Sequence, residues 1–226
     1  MTDVVGLTER WAAEWPTTPP IGYLLRLNVP DRWVRFHSLP ESKRYPDSPE
    51  EMAVVLDRHN TLLSELVETE CEGEGQALLV ITCAWGDRQD LARDPHLQAV
   101  DGLAAYWQSI FDPKWREAWT HLWVSRSKWQ AGCLDPLLEL VAEDRTADVI
   151  VAPDSLAWLY HPYDGGADVI ASSVAIRDRL SDEYREWLST HPTGLQEKVT
   201  PIAGSGSHNM LWSAPTSHEP DRFIGE

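Results

Sequence analysis

The chain has 226 residues, 42% hydrophobic and 24% charged, and its 36 acidic residues outnumber 19 basic ones, giving a formal net charge of −17. This composition is typical of a globular protein long enough to bury a sizeable core. The acidic excess argues against direct binding to nucleic acid or to anionic membrane surfaces. The 12 tryptophans predict an aromatic-rich core or an aromatic-lined groove, because each ring brings a large apolar area.

Cysteine usage and the amino-terminal residues predict the compartment. Cys71, Cys83 and Cys133 are far apart and odd in number, which argues against a disulfide framework or a zinc knuckle. Residues 1–15 have no basic start and no long apolar run, so they do not resemble a signal peptide. No apolar run reaches the roughly 18 residues of a membrane span. We therefore expect a reduced, cytoplasmic protein, and no motif indicates a cofactor.

The first third of the chain predicts a short helix, a hairpin and a long helix. Apolar residues at helical spacing predict the short helix over residues 4–15. Residues 21–29 form an apolar run that we interpret as a buried strand, and residues 33–38 alternate as a second strand, so the two should pair as a hairpin. Within residues 46–68 an apolar stripe follows three- and four-residue steps, with Ser48 placed as the N-cap.

The remaining two thirds predict alternating strands and helices, ending in a loose tail. The apolar runs at 77–85 and 118–127 favour strands, and residues 103–111 favour a short helix. Proline after a capping residue predicts a helix over 135–144. Three short strands should form an antiparallel meander because their links are short, and a last helix follows; these elements are 148–152, 156–160, 167–171 and 174–189.

Together these elements predict an α+β fold: a single domain with a mainly antiparallel mixed sheet covered by helices on one face. The domain should span residues 1–195. Residues 196–226 are rich in glycine, serine and proline and should form a loose carboxyl-terminal tail.

Three short motifs resemble those of an uncharacterised group of bacterial cytoplasmic proteins. They are the loop RFHSLPESKRY at 35–45, the helix segment RHN at 58–60, and the turn and strand YDGGADVIA at 163–171. The resemblance covers residues 21–66 and 148–190 and leaves out the tryptophan-rich region 86–130. It implies kinship with a domain of unknown function and no particular activity.

The loop at 35–45 is a basic, hydroxyl-rich island in an acidic chain and is the first candidate site. Arginine and lysine there would grip a phosphate or carboxylate. The alternative is that the same side chains satisfy the backbone of an irregular loop, which favours a structural role. The candidate ligand-binding residues are Arg35, His37, Lys43, Arg44, Tyr45, His59 and Asn60.

Two further kinds of site are less favoured by their local sequence. His161, Asp164 and Asp168 are suitable metal ligands, but the Asp-Gly-Gly segment is better explained as a hairpin turn. No nucleophile elbow and no phosphate-binding glycine loop occurs in the chain. No catalytic residue and no metal site is therefore assigned, and the sequence favours a non-enzymatic protein.

An acidic run without any base follows the long predicted helix and provides a candidate surface for a basic protein partner. A solvated helix end is the alternative explanation. The charge, the size and the lack of a catalytic motif favour a cytoplasmic binding protein resembling an immunity protein or antitoxin. A small enzyme or ligand-binding domain that uses the 35–45 loop with His59 as an anion site is the second hypothesis. The candidate partner-binding residues are Glu65, Glu68, Glu70, Glu72 and Glu74.

Overall fold

The computed structural model describes residues 4–71, 75–89, 91–112 and 118–188. Its centre is a seven-stranded sheet in which every neighbouring pair is antiparallel. The strands are β1 (Trp33–His37), β2 (Ala77–Gly86), β3 (Ala105–Asp112), β4 (Ala118–Lys128), β5 (Ile150–Pro153), β6 (Leu159–Tyr163) and β7 (Gly166–Ile170). Their spatial order is β1-β7-β6-β5-β2-β4-β3, so β1 and β3 form the two edges.

Helices lie between the strands along the chain. The α-helices of the described part are α1 (Leu7–Glu14), α2 (Gly22–Asn28), α3 (Pro49–Glu70), α4 (Pro95–Val100), α5 (Asp135–Ala142) and α6 (Val174–Glu183). Short 3-10 turns occupy Pro30–Arg32, Pro40–Ser42 and Arg185–Trp187. None of the helices in these described ranges is both long and apolar enough to cross a membrane.

The predicted α+β class and the antiparallel sheet are confirmed, but helices cover both faces of the sheet and not one. Side chains of α3, α5 and α6 pack on one face, where Leu78 and Val80 of β2 point. Side chains of α1 and α2 pack on the other face, against Leu79 and Ile81 of the same strand. Because β2 is apolar on both sides, each face needs its own cover to remove that surface from water.

The long helix α3 and the carboxyl-terminal meander follow their local sequence signals. The Ser48 hydroxyl accepts a hydrogen bond from the Glu51 backbone N–H, and Pro49 occupies the first turn. Strands β5, β6 and β7 pair in chain order, as short connections predict. On β1, Val34 and Phe36 are buried against α3 and α6, which turns the alternate residues to the opposite face.

Two predicted elements and one pairing are wrong. Residues 21–29 form helix α2 and not a strand, so β1 has no hairpin partner there and pairs instead with β7. Residues 103–111 belong largely to strand β3, which is held by β4 and not by a helical hydrogen-bond pattern. Short apolar runs do not distinguish helix from strand. In both cases packing against residues distant in the chain determines which of the two forms. The boundary at residue 195 and the tail 196–226 lie outside the described residues.

Candidate functional site

Two rows of polar side chains cross three neighbouring strands on the face of the sheet that α2 covers. In the first row Arg35 of β1 pairs with Asp168 of β7, which pairs with His161 of β6. In the next row His37 and Tyr163 flank Gly166 in the same way. Cross-strand partners point to the same face, so residues distant in the chain meet at one place. The row next to them on the same face is apolar and belongs to the buried core, so the two polar rows interrupt that core.

A cleft of about 480 Å³ opens over these rows. Helix α2, the loop after β1, the loop before β5 and the β6–β7 turn form its walls. Its size lies in the range of small-molecule sites. The lining residues are Tyr23, Arg26, Arg35, His37, Ser42, Arg44, Asp144, Thr146, Ala147, Asp148, His161, Tyr163, Asp164, Gly165 and Asp168.

A bidentate ion pair fixes the floor of the cleft. Nε and Nη2 of Arg35 donate to the two carboxylate oxygens of Asp168, each over 2.7 Å. The Asp168 side chain is only 2% exposed and that of Arg35 is 23% exposed. The Arg35 guanidinium also stacks 4.5 Å from the centre of the Tyr163 ring. This double contact holds the guanidinium plane rigidly at the floor of the cleft.

A second arginine is held at the mouth of the cleft by the β6–β7 turn. Nε of Arg44 donates to Asp164 Oδ2 over 2.7 Å, and the Tyr45 hydroxyl donates to the same oxygen over 2.8 Å. Asp164 is buried, whereas the Arg44 side chain is 63% exposed. The bond to Asp164 uses Nε, which leaves the terminal nitrogens of this exposed arginine at the opening.

Arg26 supplies the third guanidinium. It lies in the last turn of α2, where a cation complements the negative helix end, and it is half-buried. Within the described residues it has no acidic side chain in salt-bridge range, unlike Arg35 and Arg44. Its charge therefore reaches the cleft without a protein counter-ion from that part of the chain.

His37 lines the cleft and has a buried ring nitrogen. Its Nε2 is shielded from solvent and makes no hydrogen bond to any residue that the structure describes. Burial and the adjacent guanidinium of Arg35 lower the pKa of His37, and burial is the larger cause. The lowered pKa favours the uncharged imidazole at neutral pH.

His161 is fixed more tightly than His37. Its Nδ1 donates to the backbone oxygen of Val149 over 2.8 Å. The ring lies against Gly22 at the start of α2, where a Cβ would be 2.3 Å from Cε1 of the imidazole. Close by, the Tyr23 backbone N–H donates to Asp148 Oδ1 over 3.1 Å. Helix α2 is thus docked onto the cleft by its first two residues.

Backbone conformations that side chains rarely adopt cluster at the cleft. Five non-glycine residues of the described chain have positive φ, and three of them line the cleft: Ser42 (58°), Asp144 (56°) and Asp148 (55°). Gly166, which lies between His37 and Tyr163 in the sheet, has φ of 154°, and a Cβ there would lie 1.9 Å from the Phe36 carbonyl oxygen. Conformations of this kind persist where the surroundings enforce them, and they concentrate at functional sites.

Only some of the predicted ligand-binding residues lie at the cleft. Arg35, His37 and Arg44 line the cleft, and Tyr45 supports it through Asp164. Lys43 instead pairs with two acids, Asp47 over 2.8 Å and Glu51 over 2.6 Å.

His59 and Asn60 lie among other partners, away from the cleft lining. The His59 ring is buried between the Ser38 hydroxyl, 3.3 Å from Nε2, and the Tyr160 hydroxyl, 2.6 Å from Nδ1. Asn60 donates to Asp135 Oδ1 over 2.7 Å and accepts from the Gly132 N–H over 2.7 Å. Both residues hold α3 to its neighbours, in keeping with the structural alternative for this part of the motif.

The acidic run is only partly available as a surface. Glu65 forms an ion pair with Arg179 of α6, whereas Glu68 is exposed and Glu70 is half-exposed at the end of α3. Glu72 and Glu74 lie outside the described residues.

Sequence reasoning did not assign Arg26, Asp148, His161 and Tyr163 to the same site as the basic loop. A signal was present in β6 and β7, because His161, Tyr163 and Asp168 occupy alternate positions that complement Arg35 and His37. No comparable signal indicated that Arg26 would join the site, because the sequence predicted a strand over residues 21–29.

Comparison with known proteins gives a family without an assigned activity. No curated protein matches the chain. No solved structure matches it. Residues 21–192 match the family described as domain of unknown function DUF3885. The match runs without a break through the tryptophan-rich middle, includes all the cleft residues, and covers well over half of the sequence. The chain is therefore a member of the DUF3885 family.

Proposed function

We propose that the cleft binds a small polar molecule carrying an anionic group together with hydroxyl or amino groups. The observation that carries this proposal is Arg26, a half-buried guanidinium in the cleft without an acidic partner among the described residues. Arg35 and Arg44 stand in the same cleft, already oriented by Asp168 and Asp164. Three guanidinium groups around one opening favour a phosphate or carboxylate.

The acidic side chains that line the cleft are the reason for including hydroxyl or amino groups in the proposed ligand. Asp168 and Asp164 are neutralised by their arginines, which leaves the exposed Asp144 at the rim. Carboxylates accept hydrogen bonds from hydroxyl and amino groups. A ligand with an anionic end and donor groups therefore satisfies the cleft better than a bare anion.

A thermal-unfolding assay with matched small molecules tests this proposal. Ribose 5-phosphate and gluconate both combine an anionic group with hydroxyls, and ribose lacks the charge. We expect at least one of the two anions to raise Tm, because a ligand at 100 times its Kd stabilises the fold by about 2.7 kcal/mol. Ribose should have a much smaller effect.

Charge-removing variants distinguish a rise in Tm caused by binding in the cleft from a rise caused by salt in general. Arg26→Gln and Arg44→Gln should each abolish most of the rise in Tm, and Arg185→Gln is the control because Arg185 is exposed and outside the cleft. A rise that is the same in Arg26→Gln and in the unmodified chain would refute the assignment, as would no rise with either anion.

We also propose, as a second function, that the acidic end of α3 docks a basic protein partner in the cytoplasm, in the manner of an immunity protein or antitoxin. The net charge of −17 and the exposed Glu68 favour it. Capture of a basic protein should be lost in Glu68→Lys/Glu70→Lys and kept in Glu143→Lys, which alters an exposed acid elsewhere. Capture that does not respond to the double reversal would contradict this second function.

A further inference from the structure

We propose that the anionic group bound in the cleft is a tetrahedral dianion of the phosphate class, and that His37 becomes protonated when it binds. The inference rests on the proposed function and names its ligand chemistry. It adds a proton to the binding reaction: the free protein and the anion take up one H⁺ from solvent at His37 Nε2.

The number of donors around the cleft favours a tetrahedral anion. Arg26, Arg35 and Arg44 all line it, and His37, whose Nε2 is buried and unpartnered among the described residues, lines it beside them. A carboxylate has two oxygens, and one guanidinium fork already matches both of them. A phosphate offers more oxygens in three dimensions, so it uses several donors at once.

The surroundings of His37 explain why a proton would be gained on binding. The charged groups facing the imidazole are Arg35 on its own strand, Asp168 on β7 and Arg58 on α3. Two of the three are cationic, and Asp168 is already committed to Arg35. An arriving dianion reverses this balance of charge around the imidazole, which then takes up a proton.

The sign of the effect follows from these charges. Burial lowers the pKa of His37 in the free protein, and a bound dianion raises it. Affinity for the anion must then increase as the pH falls through the raised value, by up to about tenfold per pH unit for one proton.

Sulfate is the appropriate probe, because it is a tetrahedral dianion that does not itself titrate near neutral pH. Titration calorimetry at pH 8, 7 and 6 should give a Kd for sulfate that becomes smaller as the pH is lowered. Measurement in two buffers of different ionisation enthalpy should show net proton uptake. Acetate, the carboxylate probe, should bind at least tenfold more weakly than sulfate at pH 6.

Two histidine variants locate the proton. His37→Gln keeps a hydrogen-bonding side chain and should bind sulfate with no pH dependence and no proton uptake. His96→Asn is the matched control, since His96 is exposed and lies outside the cleft lining, and the pH dependence should persist. Proton uptake that disappears in His96→Asn, or that persists in His37→Gln, would overturn the assignment.

The outcomes distinguish this inference from the proposed function. Sulfate affinity that does not vary with pH, or acetate binding as tightly as sulfate, overturns the inference and leaves an anion-binding cleft. Absence of any stabilisation by ribose 5-phosphate, gluconate and sulfate overturns both.

Discussion

Gly22 is the residue on which the position of His161 depends. The three atoms nearest to a Cβ at this position all belong to the His161 ring, the closest at 2.3 Å. Gly22→Ala should therefore displace the imidazole or helix α2 and lower the free energy of unfolding by about 1–3 kcal/mol. Urea denaturation measures the loss.

The double variant Gly22→Ala/His161→Ala provides the control for this steric argument. Removing the ring removes the atoms that the new methyl group meets, so the two substitutions should cost less together than the sum of their separate effects. Additive losses would show that Gly22 is required for another reason.

His59 should make the fold sensitive to mild acid. Burial lowers its pKa to about 4, from a usual value of 6.5. The unfolded chain therefore binds a proton that the folded chain does not, and stability falls as the pH drops from 6.5 toward 4. The expected loss between pH 7 and pH 5 is about 2 kcal/mol.

Denaturation curves of His59→Gln check this expectation. The amide bonds to hydroxyl groups but does not titrate, so its stability should fall less between pH 7 and pH 5. The difference from the unmodified chain isolates His59 from the other histidines, and equal slopes in both proteins would contradict the prediction.

At the scale of elements, β1 is held to the sheet at its β7 side through Gly166. A Cβ at Gly166 would lie 1.9 Å from the Phe36 carbonyl oxygen, and its φ of 154° is unfavourable for other residues. Gly166→Ala should detach β1 and speed amide hydrogen exchange along Trp33–His37. Gly165→Ala is the matched control, because its Cβ would meet side chains, the nearest being Tyr163 at 3.0 Å. Equal exchange in the two variants would contradict this account.

Elements with local signals could be predicted, and those set by distant packing could not. Helix α3 has its own N-cap at Ser48 and a regular apolar stripe, so its local sequence was enough to predict it. Residues 21–29 carry an apolar run that suits a strand, but they form α2, whose first residue packs on His161 from β6. Nothing near Gly22 in the chain encodes that contact.

The candidate site shows the same division. Alternation over residues 33–38 predicts that Arg35 and His37 share one face of the strand, and in the structure both line the cleft while Val34 and Phe36 pack on the opposite face. In the structure His59 does not lie with Arg35 and His37 in the cleft. Its position on the helix brings it near Ser38, but the ring is buried in the core between Ser38 and Tyr160. The register of β1 against β7, which brings Asp168 to Arg35, depends on pairing across most of the chain.

For the whole molecule, the net charge of −17 predicts a stability that depends on salt. Like charges on a compact surface repel one another more strongly than in the extended chain. Raising NaCl from about 10 mM to about 200 mM shortens the screening length and should increase Tm by several degrees. Calorimetry measures the shift, and an unchanged or lower Tm would show that the acidic charges are already compensated.

The edge position of β1 has a consequence for the order of events during synthesis. Arg35 and its partner Asp168 are 133 positions apart, so the floor of the cleft cannot exist until nearly the whole described chain has left the ribosome. Loop closure over that distance is slow compared with forming the neighbouring β6–β7 hairpin. A molecule that binds this cleft would therefore stabilise the fold only after β1 has paired with β7, and it would not guide the early steps of folding.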